Sequence, residues 1–241
     1  MSVLPRLKPA EVGDGVFQLS SLGARVAAIE HDGDVMLVDT GARGSFPLVA
    51  KSLASLGLST DRVRSVVLTH SHPDHAGALA TVVARTGATV GVHDDDADVL
   101  ETHDDVGSLF PLLPARFNRK LSRSMYDGPV TPSDRFVEEV TLDWPDPVQL
   151  IHTPGHTPGS VSLYLPAIKM IMVGDALQYR FNRLAGPARL VTHDYAQALR
   201  SLHRLVELDF ETMVFSHFQP MKRNAKQRLV RLIERLEARK E

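Results

Sequence analysis

The chain has 241 residues, and its hydrophobic content of 43% and charged content of 23% are ordinary for a soluble globular protein. The formal net charge of −2 gives no general attraction to nucleic acid or to an anionic membrane surface. The absence of cysteine excludes disulfides, thiolate ligands and a cysteine nucleophile, so any metal site must use imidazole and carboxylate groups.

The first part of the chain is predicted to be rich in strands. Apolar runs with β-branched residues predict strands at 15–20, 25–31, 34–39 and 64–70. The Asp-Gly pair in HDGD predicts a hairpin turn between the second and third of these strands. A helix is predicted at 46–56. The strand at 64–70 leads directly into the sequence THSHPDHAG (69–77).

Helices and strands follow one another again in the rest of the chain. Helices are predicted at 76–86, 193–208 and 222–239, and strands at 88–93, 148–153, 160–165, 169–174 and 211–217. Residues 95–135 contain several prolines and are predicted to be less regular. Two halves of similar make-up suggest two sheets that face each other, with helices outside. No linker divides the chain, so we expect one domain over residues 1–241.

The N-terminal sequence and the lengths of the apolar runs indicate where in the cell the protein is expected. The N-terminal sequence MSVLPRLKPAEVGDG has two prolines and no long apolar run, so it does not resemble a signal peptide. No stretch reaches the roughly 18 apolar residues that a transmembrane helix needs. We therefore expect a cytoplasmic protein that does not contact membranes.

The sequence THSHPDHAG places four metal-binding side chains close together: His70, His72, Asp74 and His75. Strand side chains alternate, so His70 and His72 can point the same way if the chain stays extended between them. Pro73 favours extended geometry before it, and Asp74 and His75 then fall in the first turn of the next helix. Four ligands on one short corner do not easily surround a single tetrahedral ion, so two neighbouring ions with further ligands fit better.

Three more candidate ligands each follow a predicted strand. His156 lies in the turn HTPGHTPGS, Asp175 in MVGDA and His217 in VFSHFQP. Strand ends converge on one edge of a sandwich of sheets, so all seven candidate side chains can meet at that edge.

Taken together, these sequences resemble the metallo-β-lactamase superfamily, and especially its glyoxalase-II-like hydrolases. The matching segments are VDTG (38–41), THSHPDHAG (69–77), HTPGHTPGSVSLY (152–164), VGDAL (173–177) and SH (216–217). They span most of the chain in the family's order. The resemblance implies an α/β fold, an αββα sandwich of two mixed β-sheets with helices on the outer faces. The last segment departs from the family's glycine–histidine–glycine, because His217 lies between Ser216 and Phe218.

The resemblance also implies a role for each candidate. The first metal set is His70, His72 and His156, the second is Asp74, His75 and His217, and Asp175 bridges the two ions. Asp39 of VDTG lies behind the ligands and orients the site, as metal-bound histidines usually require. Nitrogen and oxygen ligands suit two divalent ions, with zinc expected first and iron or manganese as alternatives.

The expected activity is hydrolysis of a small acyl substrate, a thioester, lactone or ester, by a hydroxide formed at the metal ions. Asp74 and Asp175 are the candidate catalytic carboxylates, which would orient the nucleophile and pass a proton to the leaving group. The alternative enzymes are an iron oxidoreductase resembling persulfide dioxygenases, mononuclear or dinuclear, and a nucleic-acid phosphodiesterase. A metal-binding scaffold without catalysis is the remaining alternative. The neutral charge balance argues against nucleic acid, so a small molecule is the expected partner.

Several residues outside the ligand set are also assigned. Tyr179 and Arg180 follow Asp175 closely and are candidates for substrate contact. Residues 103–135 form a candidate substrate lid, because ARFNRKLSR (115–123) carries four positive charges with Phe117 and Leu121 between them; the alternative is a solvated helix face. A structural role is predicted for His152. Solvent-exposed positions are predicted for His93, His103 and His203.

Overall fold

The computed structural model of the protein describes residues 9–104 and 115–238. The first sheet has seven strands in chain order. These are β1 (Ala10–Gly13), β2 (Val16–Gln18), β3 (Ala27–His31), β4 (Asp34–Val38), β5 (Val63–Val67), β6 (Thr89–His93) and β7 (Asp134–Phe136). Strands β1 to β4 pair antiparallel, whereas β4 to β7 pair parallel, so the sheet is mixed.

The second sheet comes from the later part of the chain and has five strands. In chain order they are β8 (Val140–Leu142), β9 (Val148–His152), β10 (Val161–Leu165), β11 (Met170–Met172) and, after a separate hairpin, β14 (Thr212–Val214). Their order in the sheet is β14-β11-β10-β9-β8. The β11–β14 pair is parallel and the others are antiparallel. The hairpin consists of β12 (Gln178–Arg180) and β13 (Arg183–Ala185).

Seven α-helices lie within the described ranges. They are α1 (Phe46–Ser55), α2 (Pro73–Ala76), α3 (Leu79–Thr86), α4 (Asp94–Thr102), α5 (Ala115–Ser124), α6 (Tyr195–Val206) and α7 (Ala225–Glu237). Short 3-10 turns occupy Thr60–Arg62, Pro166–Ile168 and Arg189–Val191. No helix in the described ranges has both the length and the apolar character to cross a membrane.

Strand β4 illustrates how the sequence divides its side chains between two cores. Its successive residues point to opposite faces of the sheet, as the period of two requires. Val35 and Leu37 pack under the outer helices, whereas Met36 and Val38 pack against the second sheet. All four are apolar, because the strand is buried on both faces.

The apolar side chains form three layers of core. One core lies between the first sheet and helices α1, α3 and α4, and one lies between the two sheets. The third packs the second sheet against α6 and α7. The order of layers is therefore helix, sheet, sheet, helix, which confirms the predicted αββα sandwich of two mixed sheets.

The region predicted to be less regular is where the prediction was wrong. Residues 95–135 contain most of α4, all of α5 and the start of β7. His93 and His103 are buried, with only 4% and 8% of their surface exposed, whereas His203 is exposed as predicted. The candidate lid at 103–135 lies partly outside the described residues, at 105–114. In its described part, Phe117 and Leu121 of α5 are exposed, and the role of a lid stays a prediction.

Candidate metal site

The corner that follows β5 carries the first four candidate ligands. His70 and His72 lie in the extended segment after the strand, and His72 occupies the N-cap position of α2 with φ −57° and ψ 146°. Pro73 begins the helix at the position where a proline costs no hydrogen bond. Asp74 and His75 therefore lie in the first turn of α2, as predicted.

The turn between β9 and β10 carries His156. Gly155 has a φ of 134°, and a Cβ atom there would lie 2.2 Å from the backbone nitrogen of Ala198 in α6. Only glycine suits this position, because it must combine that backbone angle with close contact to the helix. The N–H groups of His193 and Asp194, just before α6, donate to the carbonyls of His156 and Gly155 at 3.0 and 2.9 Å. The start of α6 therefore holds this turn in place.

The structure brings together all seven predicted ligands. Within the described ranges, sets of candidate ligand atoms within 4.8 Å of one another are formed by His70–His72–His156, by His70–His75–Asp175 and by Asp74–His75–His217. Asp175 lies between the two predicted sets. Its Oδ1 is 3.6 Å from His75 Nε2, and its Oδ2 is 3.7 Å from His156 Nε2 and 3.3 Å from His217 Nε2.

Burial favours the neutral form of the three histidines in the first set. Burial, together with the neighbouring histidines, lowers the pKa of His70 well below its usual value. Burial also lowers the pKa of His72 to about 4, and burial with the nearby His72 lowers the pKa of His156 to about 3. The Nδ1 of His72 and the Nε2 of His156 lie 3.0 Å apart. Neutral imidazoles are the form that binds metal ions.

In the second set, the neighbouring carboxylates favour the protonated form of the two histidines. Burial alone would lower the pKa of His75, but the charges of Asp39, Asp74 and Asp175 raise it well above its usual value. For His217, hydrogen bonds to Asp175 and Asp74 outweigh burial and raise the pKa to about 9. Burial would raise the pKa of Asp175 and Asp74, but His75 and His217 lower both. A divalent ion would satisfy the same two carboxylates.

Asp39 and Thr69 orient two of the ligand rings. Asp39 Oδ2 accepts a hydrogen bond from His75 Nδ1 at 2.8 Å, and its carboxylate also accepts the Thr69 hydroxyl at 2.9 Å. The single hydroxyl proton of Thr69 is thereby used, so its oxygen accepts from His70 Nδ1 at 3.0 Å. Both rings consequently direct Nε2 into the site.

Thr192 orients His156 by the same logic. The Thr192 hydroxyl donates to the carbonyl of Ala188 at 2.8 Å, so its oxygen accepts from His156 Nδ1 at 3.2 Å. The Nε2 of His156 then faces His72 and Asp175. A neutral histidine with its proton held on one nitrogen offers the other as a ligand.

Two buried ring nitrogens indicate that these residues suit a metal ion. His70 Nε2 and His75 Nε2 are buried and have no hydrogen-bond partner within the described ranges. Buried polar atoms are rarely left unsatisfied, because each costs about 1–3 kcal/mol. Both atoms point toward the other candidate ligands, so a cation is the partner that the donor set suits.

The second set is the more accessible of the two. The side chains of Asp74 and His217 are 34% and 31% exposed, and that of Asp175 is 19% exposed. The side chains of His75 and His156 are 0% and 1% exposed. A substrate would therefore approach from the side of Asp74 and His217.

The departure in the last motif leaves His217 within reach of the other ligands. Its Nε2 lies 3.2 Å from Asp74 Oδ2. The backbone carbonyls of Phe215 and Ser216 accept hydrogen bonds from the Gln18 side chain at 3.0 Å and from the Arg25 N–H at 2.7 Å. Contacts from the first sheet therefore hold the loop that presents His217.

A fourth group of candidate ligands, His93, Asp95 and His152, has a different geometry. The two imidazole rings stack 3.9 Å apart at an angle of 13°. Nitrogen lone pairs lie in the ring plane, so stacked rings do not direct them at one ion. His152 Nε2 also lies 2.9 Å from the carbonyl of Pro158, in keeping with the structural role predicted for it.

Tyr179 and Arg180 lie in the hairpin strand β12. The Tyr179 hydroxyl donates to Asn182 Oδ1 at 2.6 Å and accepts from Arg228 at 2.9 Å, and its ring stacks on Phe215. The Arg180 guanidinium lies 5.8 Å from the centre of the Phe218 ring. Contact of either residue with substrate stays a prediction.

Three residues that hold the site were not identified from the sequence. Thr69 and Thr192 orient ligand rings, and Asp96 of α4 hydrogen-bonds to two ligand-bearing loops. The signal for Thr69 was its place directly before His70 in the motif. Thr192 lies outside every matching segment, and Asp96 lies in the region predicted to be irregular.

Comparison with known proteins identifies the family of this chain. The model of the metallo-beta-lactamase superfamily matches residues 23–217. The probable metallo-hydrolase YflN of Bacillus subtilis (strain 168) is 26% identical over 94% of this chain and 92% of its own length. A hydroxyacylglutathione hydrolase of Fuscovulum blasticum is 28% identical, over 79% of this chain and 60% of that enzyme.

A solved structure has the same fold. A metallo-beta-lactamase family protein of Thermus thermophilus superposes with a TM-score of 0.71 at 24% identity, over 94% of this chain and 80% of that one. The family match covers most of the chain and includes all seven predicted ligands, the last of them, His217, at its very end. This chain therefore belongs to the metallo-beta-lactamase superfamily.

Proposed function

We propose that this chain is a dinuclear metal-dependent hydrolase of a small acyl substrate, a thioester, lactone or ester. The position of Asp175 carries the proposal. Its carboxylate lies 3.7 Å from His156 Nε2 of the first ligand set and 3.3 Å from His217 Nε2 of the second. A carboxylate between two sets of three ligands is suited to bridging two ions, and two of the relatives are named as hydrolases.

Bound ions would supply an activated water and would polarise the substrate. A pair of divalent ions held by these ligands would lower the pKa of a bound water toward neutrality and would polarise the carbonyl group of the substrate. We propose zinc as the first ion to test, with iron and manganese as alternatives that nitrogen and oxygen ligands also suit.

The side chains of the site would bind the ions, and one of them would transfer a proton. His70, His72 and His156 are buried, which lowers their pKa values and keeps the first metal set closed to solvent. Asp74 lies on the open side as a carboxylate, since His75 and His217 outweigh burial and lower its pKa. We propose that Asp74 accepts the proton of the attacking water and returns it to the leaving sulfur or oxygen.

A thioester is the first substrate to test. One relative is named a hydroxyacylglutathione hydrolase, and a hydroxyacylglutathione is a thioester. That match covers only 60% of the enzyme, so its substrate is a guide to the class of bond and not to the acyl group.

Counting the bound metal and then assaying hydrolysis tests the proposal. We expect two ions per chain after purification, and hydrolysis of a chromogenic thioester, lactone or ester in preference to a phosphodiester. His217→Ala should lose one ion. His203→Ala, which changes an exposed histidine paired only with Glu237 in the described ranges, should keep both.

Two results would reject the proposal. One ion per chain, with His217→Ala unchanged, would exclude the dinuclear site and favour a mononuclear oxidoreductase. Turnover of the phosphodiester alone would instead favour the nucleic-acid phosphodiesterase.

A further inference from the structure

Asp96 is a buried carboxylate that belongs to neither predicted ligand set. It lies in the first turn of α4, and only 1% of its surface is exposed. Its Oδ2 accepts hydrogen bonds from the Ser71 N–H at 2.7 Å and from the Thr157 hydroxyl at 2.9 Å. Its Oδ1 accepts from the Gly159 N–H at 2.8 Å. Both oxygens are therefore engaged by donors from two different loops.

These donors are neighbours of the candidate ligands. Ser71 lies between His70 and His72, and Thr157 follows His156 directly. One carboxylate thus joins the corner after β5 to the turn between β9 and β10. The two loops belong to different sheets. They also meet at one backbone hydrogen bond, because the Val161 N–H at the start of β10 donates to the Thr69 carbonyl at 2.8 Å, but this bond does not reach Ser71 or Thr157.

The packing around Asp96 is tight on the side of the second loop. A Cβ atom on Gly159 would lie 2.7 Å from the Asp96 side chain, closer than real Cβ contacts allow. The absence of a side chain therefore lets the Gly159 N–H approach the carboxylate. The need for glycine at this place in HTPGHTPGS comes from Asp96 and not from the ligands.

Tyr126 completes the hold on the first loop. Its hydroxyl donates to the Ser71 carbonyl at 2.6 Å, and its ring stacks on His103 at a centroid distance of 4.3 Å. Both polar groups of the Ser71 backbone are therefore fixed by buried side chains. The position of Ser71 determines where the neighbouring His70 and His72 can lie.

We propose that Asp96 is a positioning residue that holds His70 and His72 at a fixed distance from His156, and so sets the affinity of the first metal set. The inference rests on the proposed metal site. The buried carboxylate acts through Ser71, Thr157 and Gly159, and it touches neither the ion nor the substrate.

The test measures zinc affinity in competition with a chromophoric chelator, without substrate. Asp96→Asn keeps the shape of the side chain but places an amide N–H against one of the three donors. We expect about 10- to 100-fold weaker zinc binding, the range typical of residues that orient ligands. Asp127→Asn is the matched control, because its carboxylate accepts the N–H groups of Ala80 and Thr81 of α3 at 3.1 and 2.9 Å, and not those of Ser71 or Gly159.

Combining Asp96→Asn with a substitution in either metal set shows which set loses zinc affinity. In His217→Ala the second set is broken, and Asp96→Asn should still weaken the remaining site about 10- to 100-fold. In His156→Ala the first set is broken, and Asp96→Asn should leave the remaining affinity unchanged. Equal losses in the two backgrounds would overturn the proposal.

A purely structural role is distinguished by stability. If Asp96→Asn lowers the unfolding midpoint as Asp127→Asn does but binds zinc as tightly as the parent, the positioning role is rejected. Should Asp96→Asn not fold, Thr157→Val decides. It removes one donor to Asp96, and we expect about two- to tenfold weaker binding, as the loss of one hydrogen bond predicts; unchanged affinity would reject the role.

The outcome is separable from that of the proposed function. Weaker zinc binding by Asp96→Asn, in a protein that hydrolyses none of the acyl substrates, would reject the proposed reaction and support the positioning role. Hydrolysis by the parent protein, with unchanged zinc affinity in Asp96→Asn, would support the proposed reaction and reject the positioning role.

Discussion

Asp39 has a backbone φ of 62°, in the left-handed region that aspartate and asparagine tolerate better than most residues. This conformation follows the end of β4 and directs the carboxylate toward Thr69 and His75. The carboxylate is 1% exposed and accepts both the Thr69 N–H at 2.8 Å and the Thr69 hydroxyl. One unusual backbone angle thus orients His75 directly and His70 through Thr69.

Asp39→Asn separates the backbone requirement from the hydrogen bonds. Asparagine adopts the same φ, but its amide group cannot accept from Thr69 and His75 on both sides. We expect zinc affinity to fall about 10- to 100-fold, with a smaller change in the unfolding midpoint. Chelator competition measures the affinity, and circular dichroism at rising temperature measures the midpoint. Unchanged zinc binding would show that Asp39 does not orient the ligands.

Asp175→Ala should reduce metal binding and activity more than a substitution of any residue that only orients the ligands. Its carboxylate lies within 3.7 Å of ring nitrogens from both sets, so both ions would lose a ligand. We expect the loss of bound metal and a fall in activity of more than about 100-fold, beyond the range for orienting residues. Asp209→Ala, at an exposed carboxylate paired with Lys169, is the control and should keep both. Full turnover in Asp175→Ala would contradict the bridging role.

At the scale of elements, the loop after β14 depends on β2 of the opposite sheet. Gln18 is 4% exposed, and its side-chain amide donates to the Phe215 carbonyl at 3.0 Å while its oxygen accepts from Arg25 at 3.1 Å. The loop presents His217 without the glycines that flank the histidine in the family's usual motif. Hydrogen bonds from Gln18 of β2 and from the Arg25 N–H, in the loop between β2 and β3, hold this loop in place.

Gln18→Ala tests this dependence. It leaves the Phe215 carbonyl without its partner, which costs about 1–3 kcal/mol for a buried group. We expect the free energy of unfolding to fall by that amount in a urea titration. We also expect weaker binding of the second ion in the metal count, because His217 loses its support. Retention of the second ion at full affinity would indicate that the loop holds its shape without Gln18.

The sequence predicts the elements well where local patterns are strong, and the structure brings the predicted ligands together. The strand β5, the corner after it and the helix start at Pro73 follow from an apolar run, a histidine-rich motif and a proline. Helix α4 was missed, although its three acidic residues at the N-terminus are a favourable start. Asp94, Asp95 and Asp96 look like a solvated turn, and only the tertiary structure shows that the third is buried.

The contacts between loops have no local signal. Asp96 meets Ser71 and Thr157 across separations of 25 and 61 residues, and Gln18 meets Phe215 across 197. A motif indicates which residues are candidate ligands but not what fixes the distance between two motifs. These supporting residues could be identified only once the two sheets were placed face to face.

At the scale of the whole molecule, the candidate site joins the two sheets. The first sheet contributes His70, His72, Asp74 and His75, and the second contributes His156, Asp175 and His217. An ion in either set would draw ligands from both sheets. Metal binding should therefore stabilise the packing of one sheet on the other, and not only the loops that carry the ligands.

Zinc should consequently raise the melting temperature of the metal-free protein. Binding to the folded state alone adds about 2.7 kcal/mol at a free ion concentration of 100 times Kd. For a chain of this size each kcal/mol shifts the melting temperature by about 2–4 °C, so we expect a rise of roughly 5–11 °C. Differential scanning calorimetry after chelation and after zinc addition measures it. His156→Ala should show a smaller rise, because it leaves only the second set to link the sheets, whereas His203→Ala should show the full rise. An equal rise in both variants would mean that the ion binds elsewhere. The candidate site would then not account for the effect of zinc on the melting temperature.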